Sequence, residues 1–331
     1  MTRDWSADEI LKLTRAYQDA CVLAAAADLE LFEAIGADEL PAPEVAARIR
    51  GAVRGTTILL DALAALDLLT KHEDRYAVPP SLQPLLRPGG PESVLAMVQH
   101  QANCMRRWSR LAQTVRDGEP PERTPSVRGE EQDTASFIEA MDVINRDAAA
   151  WLVDEIAPGL FTHLLDVGGG SGTWTIAWLT KDPKARVTLF DLPKVIPLAE
   201  QRLRDAGLLD RVTLVGGDFD TDPLPSGADL AWVSAIVHQN SRAQNRKLLE
   251  KVHAALVPGG RILIRDIVMD ASRTKPRGGA LFAINMLAAT AGGDTFTFAE
   301  LAEDLAAAGF TETKQLREDE WMHAIVSARR G

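Results

Sequence analysis

Residues 163 to 182 read HLLDVGGGSGTWTIAWLTKD. A short apolar run ends at Val167, four glycines fall within residues 168 to 172, and apolar residues then return at helical spacing. A strand, a tight turn and a helix account for that order. Glycine lets the backbone approach a ligand closely, and a helix N-terminus offers N–H groups to an anion. The pattern is G-x-G-x-G. Thr173 stands where a dinucleotide fingerprint has its last glycine, which speaks against NAD.

The same texture continues downstream. RVTLFDLP (186–193) reads as a second strand and VIPLAEQRLRDAG (195–207) as its helix. RVTLVGGDF (211–219) is a third strand, DLAWVSAIV (229–237) a fourth, SRAQNRKLLEKVHAAL (241–256) a helix and GRILIRDIV (260–268) a fifth strand. This alternation predicts an α/β fold with a parallel sheet and helices on both faces. A helix over 297–310 comes next, and TETKQL with MHAIVSAR predicts a hairpin at the sheet edge.

In such a sheet, ligands bind beyond the carboxyl ends of the strands, at the switch point. Three carboxylates fall there. Asp166 precedes the glycines, where it could face a ligand ammonium. Asp191 closes the second strand, where it could accept from ribose hydroxyls. Asp218 closes the third, where it could accept from an adenine amino group with Phe219 beside the ring. One such aspartate is most simply a cap; three after one glycine turn point to a nucleoside-bearing cofactor.

The fourth run, AWVSAIVHQNSRAQNRKLL (231–249), carries His238 at its end. Asp266 ends the neighbouring fifth strand, so its carboxylate could hold one ring nitrogen while the other faces an acceptor. Asp294 is a second candidate support. A histidine near pKa 6.5 and a phenol near 10 differ by about 5 kcal/mol, whereas an alcohol near 15.7 lies about 9 pKa units away. A phenolic or enolic hydroxyl is therefore the preferred acceptor.

Residues 8 to 116 read as mostly helical, with TKHEDRYAV (70–78) as a tight strand pair. Short helices and then a hairpin make a winged-helix pattern, used elsewhere to bind DNA. Its charge here is mixed, so dimerisation or a lid role is preferred. Residues 117 to 133 are rich in proline, glycine and charge and read as a connector. The expected division is 1–117, helical and winged-helix-like; 118–133, connector; and 134–331, the cofactor-binding domain. The net charge of −11 argues against a nucleic-acid backbone as partner. The two cysteines, Cys21 and Cys104, have no metal or disulfide spacing, so no metal is expected. There is no apolar membrane span or signal segment, so a cytoplasmic protein is expected.

LLDVGGGSG, LFDLPKVI, VGGDF, VHQN and LVPGGRILIRD together resemble the motifs of S-adenosylmethionine-dependent O-methyltransferases of the plant caffeic-acid and bacterial polyketide-tailoring type. RRWSRLAQTVRDGEP resembles the bacterial members. The resemblance covers nearly the whole chain. It implies a Rossmann-like methyltransferase domain with a terminal hairpin, an N-terminal dimerisation domain and a homodimer. It implies S-adenosyl-L-methionine as cofactor, touched by Gly168, Asp191, Asp218 and Phe219, with Gly170 and Leu192 beside them. Ser234 falls where plant members carry a lysine. His238 matches the catalytic histidine, Gln239 and Asn240 replace the Asp and Trp that come after it, and Asp266 sits where plant members place a supporting glutamate. Thr295 aligns with a second glutamate. Met141 and Met286 match methionines that flank an aromatic ring. Asn145, Asn285, His100, Trp108 and Trp321 are further candidates for the acceptor cavity.

The leading reading is an O-methyltransferase acting on an aromatic or polyketide-like small molecule. The altered residues around His238 motivate a second: the same cofactor and fold performing rearrangement, decarboxylation or hydroxylation. A ligand-sensing winged-helix regulator is a third, which a basic face on the second and third helices would support; none is visible.

Overall fold

The computed structural model describes residues 4–156 and 161–331. The chain forms two compact units: residues 1–106 with 123–144, and residues 107–122 with 145–331. The stretch 107–122 groups with the C-terminal part and 123–144 with the N-terminal part. The helix α1 (Glu130–Ile156) contributes residues to both.

In the N-terminal unit, apolar residues at three and four spacing build helices Tyr17–Asp28, Leu31–Ile35, Ala42–Arg48 and Val53–Ala65. Ala26, Leu31, Ile35, Val45, Leu60 and Leu63 make their shared core and are fully buried. The expected hairpin is present as Thr70–His72 against Arg75–Ala77.

The C-terminal unit is built on a seven-stranded sheet. Its strands are β1 (His163–Val167), β2 (Arg186–Asp191), β3 (Val212–Gly216), β4 (Ala228–Ser234), β5 (Leu256–Asp266), β6 (Phe310–Arg317) and β7 (Ala324–Arg330). The order across the sheet is β3-β2-β1-β4-β5-β7-β6, with β1 to β5 parallel and β7 antiparallel to both of its neighbours, β5 and β6. The order reverses between β1 and β4, which makes that junction the switch point where a crevice opens.

Helices cover both faces, as a sheet buried on two sides requires. On one face α4 (Arg242–Ala255) and α6 (Phe298–Ala307) pack Leu248, Leu249 and Leu305 on Val233 and Ile264. On the other, the C-terminal part of α1 and α2 (Thr173–Lys181) pack Leu152, Trp174 and Trp178 on Trp232 and Leu263. Helix α3 (Ile196–Asp205) completes the cover over β2 through Ala199 and Leu203. Helix α5 (Arg277–Ala289) comes after β5 and reaches the strand tips.

One expected strand is shorter than its apolar run. β4 stops at Ser234, because Ala235 turns left-handed at φ 56° and a 3₁₀ turn forms at Val237–Gln239. Ile236 and Val237 are buried because the turn folds them back onto the core, not because the strand continues.

Candidate active site

The glycine corner between β1 and α2 is held from beneath. A Cβ on Gly168 would lie 2.6 Å from the Ile236 side chain, and φ is +67° there. Only glycine fits such a position. At Gly170 the added Cβ would meet nothing within 4 Å. The corner is thus packed on one side and open on the other, beside the ends of β1 and β2. That shape suits a nucleoside-bearing ligand lying across the turn.

Asp191 braces the open side. One carboxylate oxygen accepts from the Gly170 N–H at 2.7 Å and the other from the Leu192 N–H at 2.7 Å. Burial raises its pKa, and the two peptide donors oppose that rise. Leu192 itself is 39% exposed. Asp166 is 1% exposed beneath the corner and accepts from the Thr175 hydroxyl at 2.6 Å. Burial pushes its pKa up to about 7, opposed by that hydroxyl and reinforced by the charge of Asp191. A carboxyl there ties β1 to the first turn of α2.

At the end of β3, Asp218 forms a local turn, one oxygen accepting from the Asp220 N–H at 2.9 Å. Lys251 gathers the carbonyls of Phe219, Asp220 and Asp222 at 2.6, 2.9 and 2.9 Å, fixing that loop to α4. Phe219 packs its half-buried ring on the core. Ser234 accepts at 3.0 Å from Arg265, a guanidinium that is 1% exposed and lies over the Trp174 ring at 4.5 Å. Burial lowers the Arg265 pKa to about 10, with Asp266 and Asp319 opposing.

His238 stands on the 3₁₀ turn and is buried. Its Nδ1 meets both Asp266 oxygens, at 2.9 and 3.0 Å. Asp266 is 1% exposed and also accepts from the Ile267 N–H at 2.8 Å and the His238 N–H at 3.4 Å. The short aspartate side chain reaches the ring because the same carboxylate holds the histidine's own backbone over the end of β5. With Nδ1–H donating to the carboxylate, Nε2 carries the free lone pair. Among the described residues no hydrogen bond ends on Nε2. The Phe282 ring of α5 stands edge-on to the imidazole, centroids 4.9 Å apart at 90°.

Asp294 meets the turn through its backbone. Its carboxylate is held by Arg273 at 2.6 Å, and only its peptide N–H reaches the turn, donating to the His238 carbonyl at 3.0 Å. Arg273 also takes Glu300 and the Thr295 carbonyl, so the stronger charged network claims that side chain. Thr295 is buried, its hydroxyl 3.4 Å from the Gly279 carbonyl.

Of the acceptor-cavity candidates, Trp108 and Asn285 come together: the indole N–H donates to the Asn285 side-chain oxygen at 3.1 Å. Met286 is buried on α5. Trp321 is 66% exposed and packs by Gly278. Asn145 lies half-buried in the C-terminal unit. Met141 and His100 belong to the N-terminal unit, where His100 meets the Phe137 ring.

Three residues around the turn went unrecognised in the sequence: Asn245, Arg265 and Phe282. Asn245, 1% exposed, donates to the Val237 carbonyl at 2.9 Å and accepts from Asn240 at 3.2 Å, pinning the turn to α4. Its signal was a polar residue on the core stripe it shares with Leu248, Leu249 and Val252. Gln239 donates to the Ala235 carbonyl at 3.0 Å and closes the turn where the family resemblance has an aspartate. Arg265 and Phe282 gave no such signal.

An O-methyltransferase domain model matches residues 108–311, and an O-methyltransferase dimerisation domain model matches residues 11–81. The chain belongs to the O-methyltransferase family. It is 34% identical over 300 residues to the 3-hydroxy-5-methyl-1-naphthoate 3-O-methyltransferase of Streptomyces sahachiroi, covering 89% of this chain and 87% of that one. It is 32% identical over 316 residues to the tetracenomycin polyketide synthesis 8-O-methyl transferase of Streptomyces glaucescens, covering 92% of each. Among solved structures, the human N-acetylserotonin methyltransferase in complex with S-adenosylmethionine superimposes with a TM-score of 0.80 at 25% identity over the whole of both chains. This family member is therefore an S-adenosylmethionine-dependent methyltransferase, and its fold is the class I methyltransferase fold with an N-terminal helical dimerisation domain. No described helix is long and apolar enough to cross a membrane, and no metal cluster occurs among the described residues.

Proposed function

We propose that this enzyme methylates a phenolic or enolic hydroxyl of an aromatic or polyketide-like small molecule, with His238 as general base. The observation that carries the reading is the His238–Asp266 pair, 2.9 Å at Nδ1, which leaves Nε2 as the basic nitrogen at the strand tips.

The chain's residues divide the work. The open side of the glycine corner at Gly170 receives the nucleoside, and Asp191 and the free oxygen of Asp218 accept from its hydroxyl and amino groups. Ser234 and Leu192 border the same space. When bound, S-adenosylmethionine would supply an electrophilic methyl group and leave as S-adenosylhomocysteine when its S–CH₃ bond breaks. Nε2 of His238 takes the acceptor's proton, and the ring becomes an imidazolium facing Asp266. A hydrogen bond to a charged partner contributes about 1.5–3 kcal/mol, a large part of the roughly 5 kcal/mol that separates a phenol from a histidine. No comparable contribution closes the gap to an aliphatic alcohol. Phe282 and Met286 offer apolar walls for an aromatic acceptor. The dimerisation domain supports a homodimer as the working form.

The test is a panel of hydroxylated aromatics and matched aliphatic alcohols with labelled S-adenosylmethionine. Label is expected in the phenols and enols, as a methyl ether. His238→Ala is expected to slow that transfer by about 10²–10⁴-fold. Transfer to aliphatic alcohols at equal rates, or near-normal turnover of the alanine variant on a phenol, removes the base from the mechanism.

A further inference from the structure

Arg273 stands in the loop that leaves β5 and has a φ of 58°. A left-handed backbone is unfavourable for an arginine and persists where the surroundings hold it. Here the side chain does the holding. Its guanidinium donates to both oxygens of Glu300 at 2.7 and 2.9 Å, to one oxygen of Asp294 at 2.6 Å and to the Thr295 carbonyl at 2.8 Å. The loop and the segment it reaches start side by side, since Val268–Met269 pairs in parallel with Phe296–Thr297.

The stretch that Arg273 clamps lies against the 3₁₀ turn of His238. The Asp294 N–H donates to the His238 carbonyl at 3.0 Å. At Gly293 there is no room for a side chain: a Cβ would lie 2.5 Å from that carbonyl oxygen and 3.0 Å from the Gln239 carbonyl oxygen. Asp266 holds the same turn from β5, through the ring and the His238 N–H. The backbone of His238 is therefore fixed at both of its polar groups, the N–H by Asp266 and the carbonyl by Asp294. The Arg273 and Asp294 side chains are 38% and 44% exposed, and ion pairs so placed contribute little to stability. Their consequence is geometric. A turn released on its carbonyl side lets the imidazole shift, and a small misplacement of a reacting group slows a reaction strongly.

We infer that Arg273 is a positioning residue for the methyl transfer: it clamps residues 293–295 onto the backbone of His238 and so fixes the direction of Nε2. This rests on the reading of His238 as the base. Arg273 acts through the turn, not through the acceptor.

The experiment is a double-mutant cycle on the fastest phenol of the hydroxylated panel, with labelled S-adenosylmethionine. Arg273→Ala is expected to lower kcat by about ten- to a hundred-fold. KM for the phenol and S-adenosylhomocysteine affinity by calorimetry are expected to stay unchanged. Arg273→Lys, which keeps the charge but loses the planar fork, is expected to recover part of the loss. In the His238→Ala background Arg273→Ala is expected to cost nothing further, because the group it positions is gone. Asp294→Ala removes the clamped carboxylate at an exposed site and keeps the N–H. It is expected to repeat the pattern at smaller size, and it decides the question if Arg273→Ala does not fold. An equal fold-loss in both backgrounds makes the clamp purely structural and overturns the inference alone, as does wild-type kcat in Arg273→Ala. Near-normal turnover of His238→Ala overturns the inference together with the base.

Discussion

Two aspartates lie at strand ends of the same sheet and are equally hidden, Asp166 one residue before the end of β1 and Asp266 at the end of β5, each 1% exposed. Asp166 finds a threonine hydroxyl at 2.6 Å and a second carboxylate nearby, and its pKa rises to about 7. Asp266 finds an imidazole at 2.9 Å and two peptide N–H groups. Burial penalises a carboxylate in either place. The partners differ: a hydroxyl and a neighbouring negative charge favour a neutral brace at Asp166, while donors on both oxygens fix the Asp266 carboxyl where it orients a ring. Position in the crevice does not by itself assign a role.

The comparison breaks most visibly at Asp266. Asp266→Asn keeps the size of the side chain and removes its charge, so the imidazolium formed during turnover loses its counter-charge. The variant is expected to lose about 10²–10⁴-fold in kcat, the share a positioned base supplies. A kcat–pH profile should change shape along with the rate. If turnover stays within two-fold, Asp266 only builds the turn, and the two aspartates are alike.

Asp166→Asn tests the other side through stability. A folded pKa near 7 against an ordinary 3.8 means that the folded chain keeps a proton the unfolded chain has released between those values. The folded state then binds more protons, so the wild-type loses stability as pH rises from 3.8 through about 7. The span corresponds to at most about 4 kcal/mol. Asparagine has no such proton and can still accept from Thr175. In urea unfolding its advantage over wild-type is expected to grow between pH 5 and pH 8. A gap that is constant with pH means that Asp166 is ionised in the fold.

These roles were unequally legible in the sequence. The alternation of short apolar runs and amphipathic helices sufficed to find β1 to β5 and to make their sheet parallel, because strands joined through helices pair that way. His238 and Asp266 could be joined because neighbouring parallel strands bring their tips together. Asp294 looked equivalent on sequence position alone; its peptide, not its carboxylate, faces His238, since Arg273 reaches it first. The end of β4 was misjudged because Ile236 is as apolar as a strand residue, and what stops the strand is the left-handed Ala235, which carries no glycine signal. Asn285 was one name among several candidates. Its direction depends on Trp108, 177 residues away in the chain, and no local pattern encodes that.

Asp191 falls between the two extremes and sharpens the contrast. It is half-buried, its pKa is raised by burial, and it has two peptide donors but no cation. Each oxygen spends one lone pair on the backbone, which leaves the others for a ligand's hydroxyls. Hydrogen bonds to a charged group contribute about 1.5–3 kcal/mol, so Asp191→Ala is expected to weaken S-adenosylhomocysteine binding by roughly ten-fold or somewhat more, as measured by calorimetry. Asp191→Asn separates two causes. It can still accept at one oxygen but must turn N–H groups toward either the Gly170 or the Leu192 N–H, so a corner that needs both bonds suffers as much as with alanine. If alanine leaves affinity unchanged, the carboxylate serves only the turn, and Asp191 joins Asp166 as a brace. If asparagine is intermediate, the oxygen facing the ligand carries the binding and the charge adds to it.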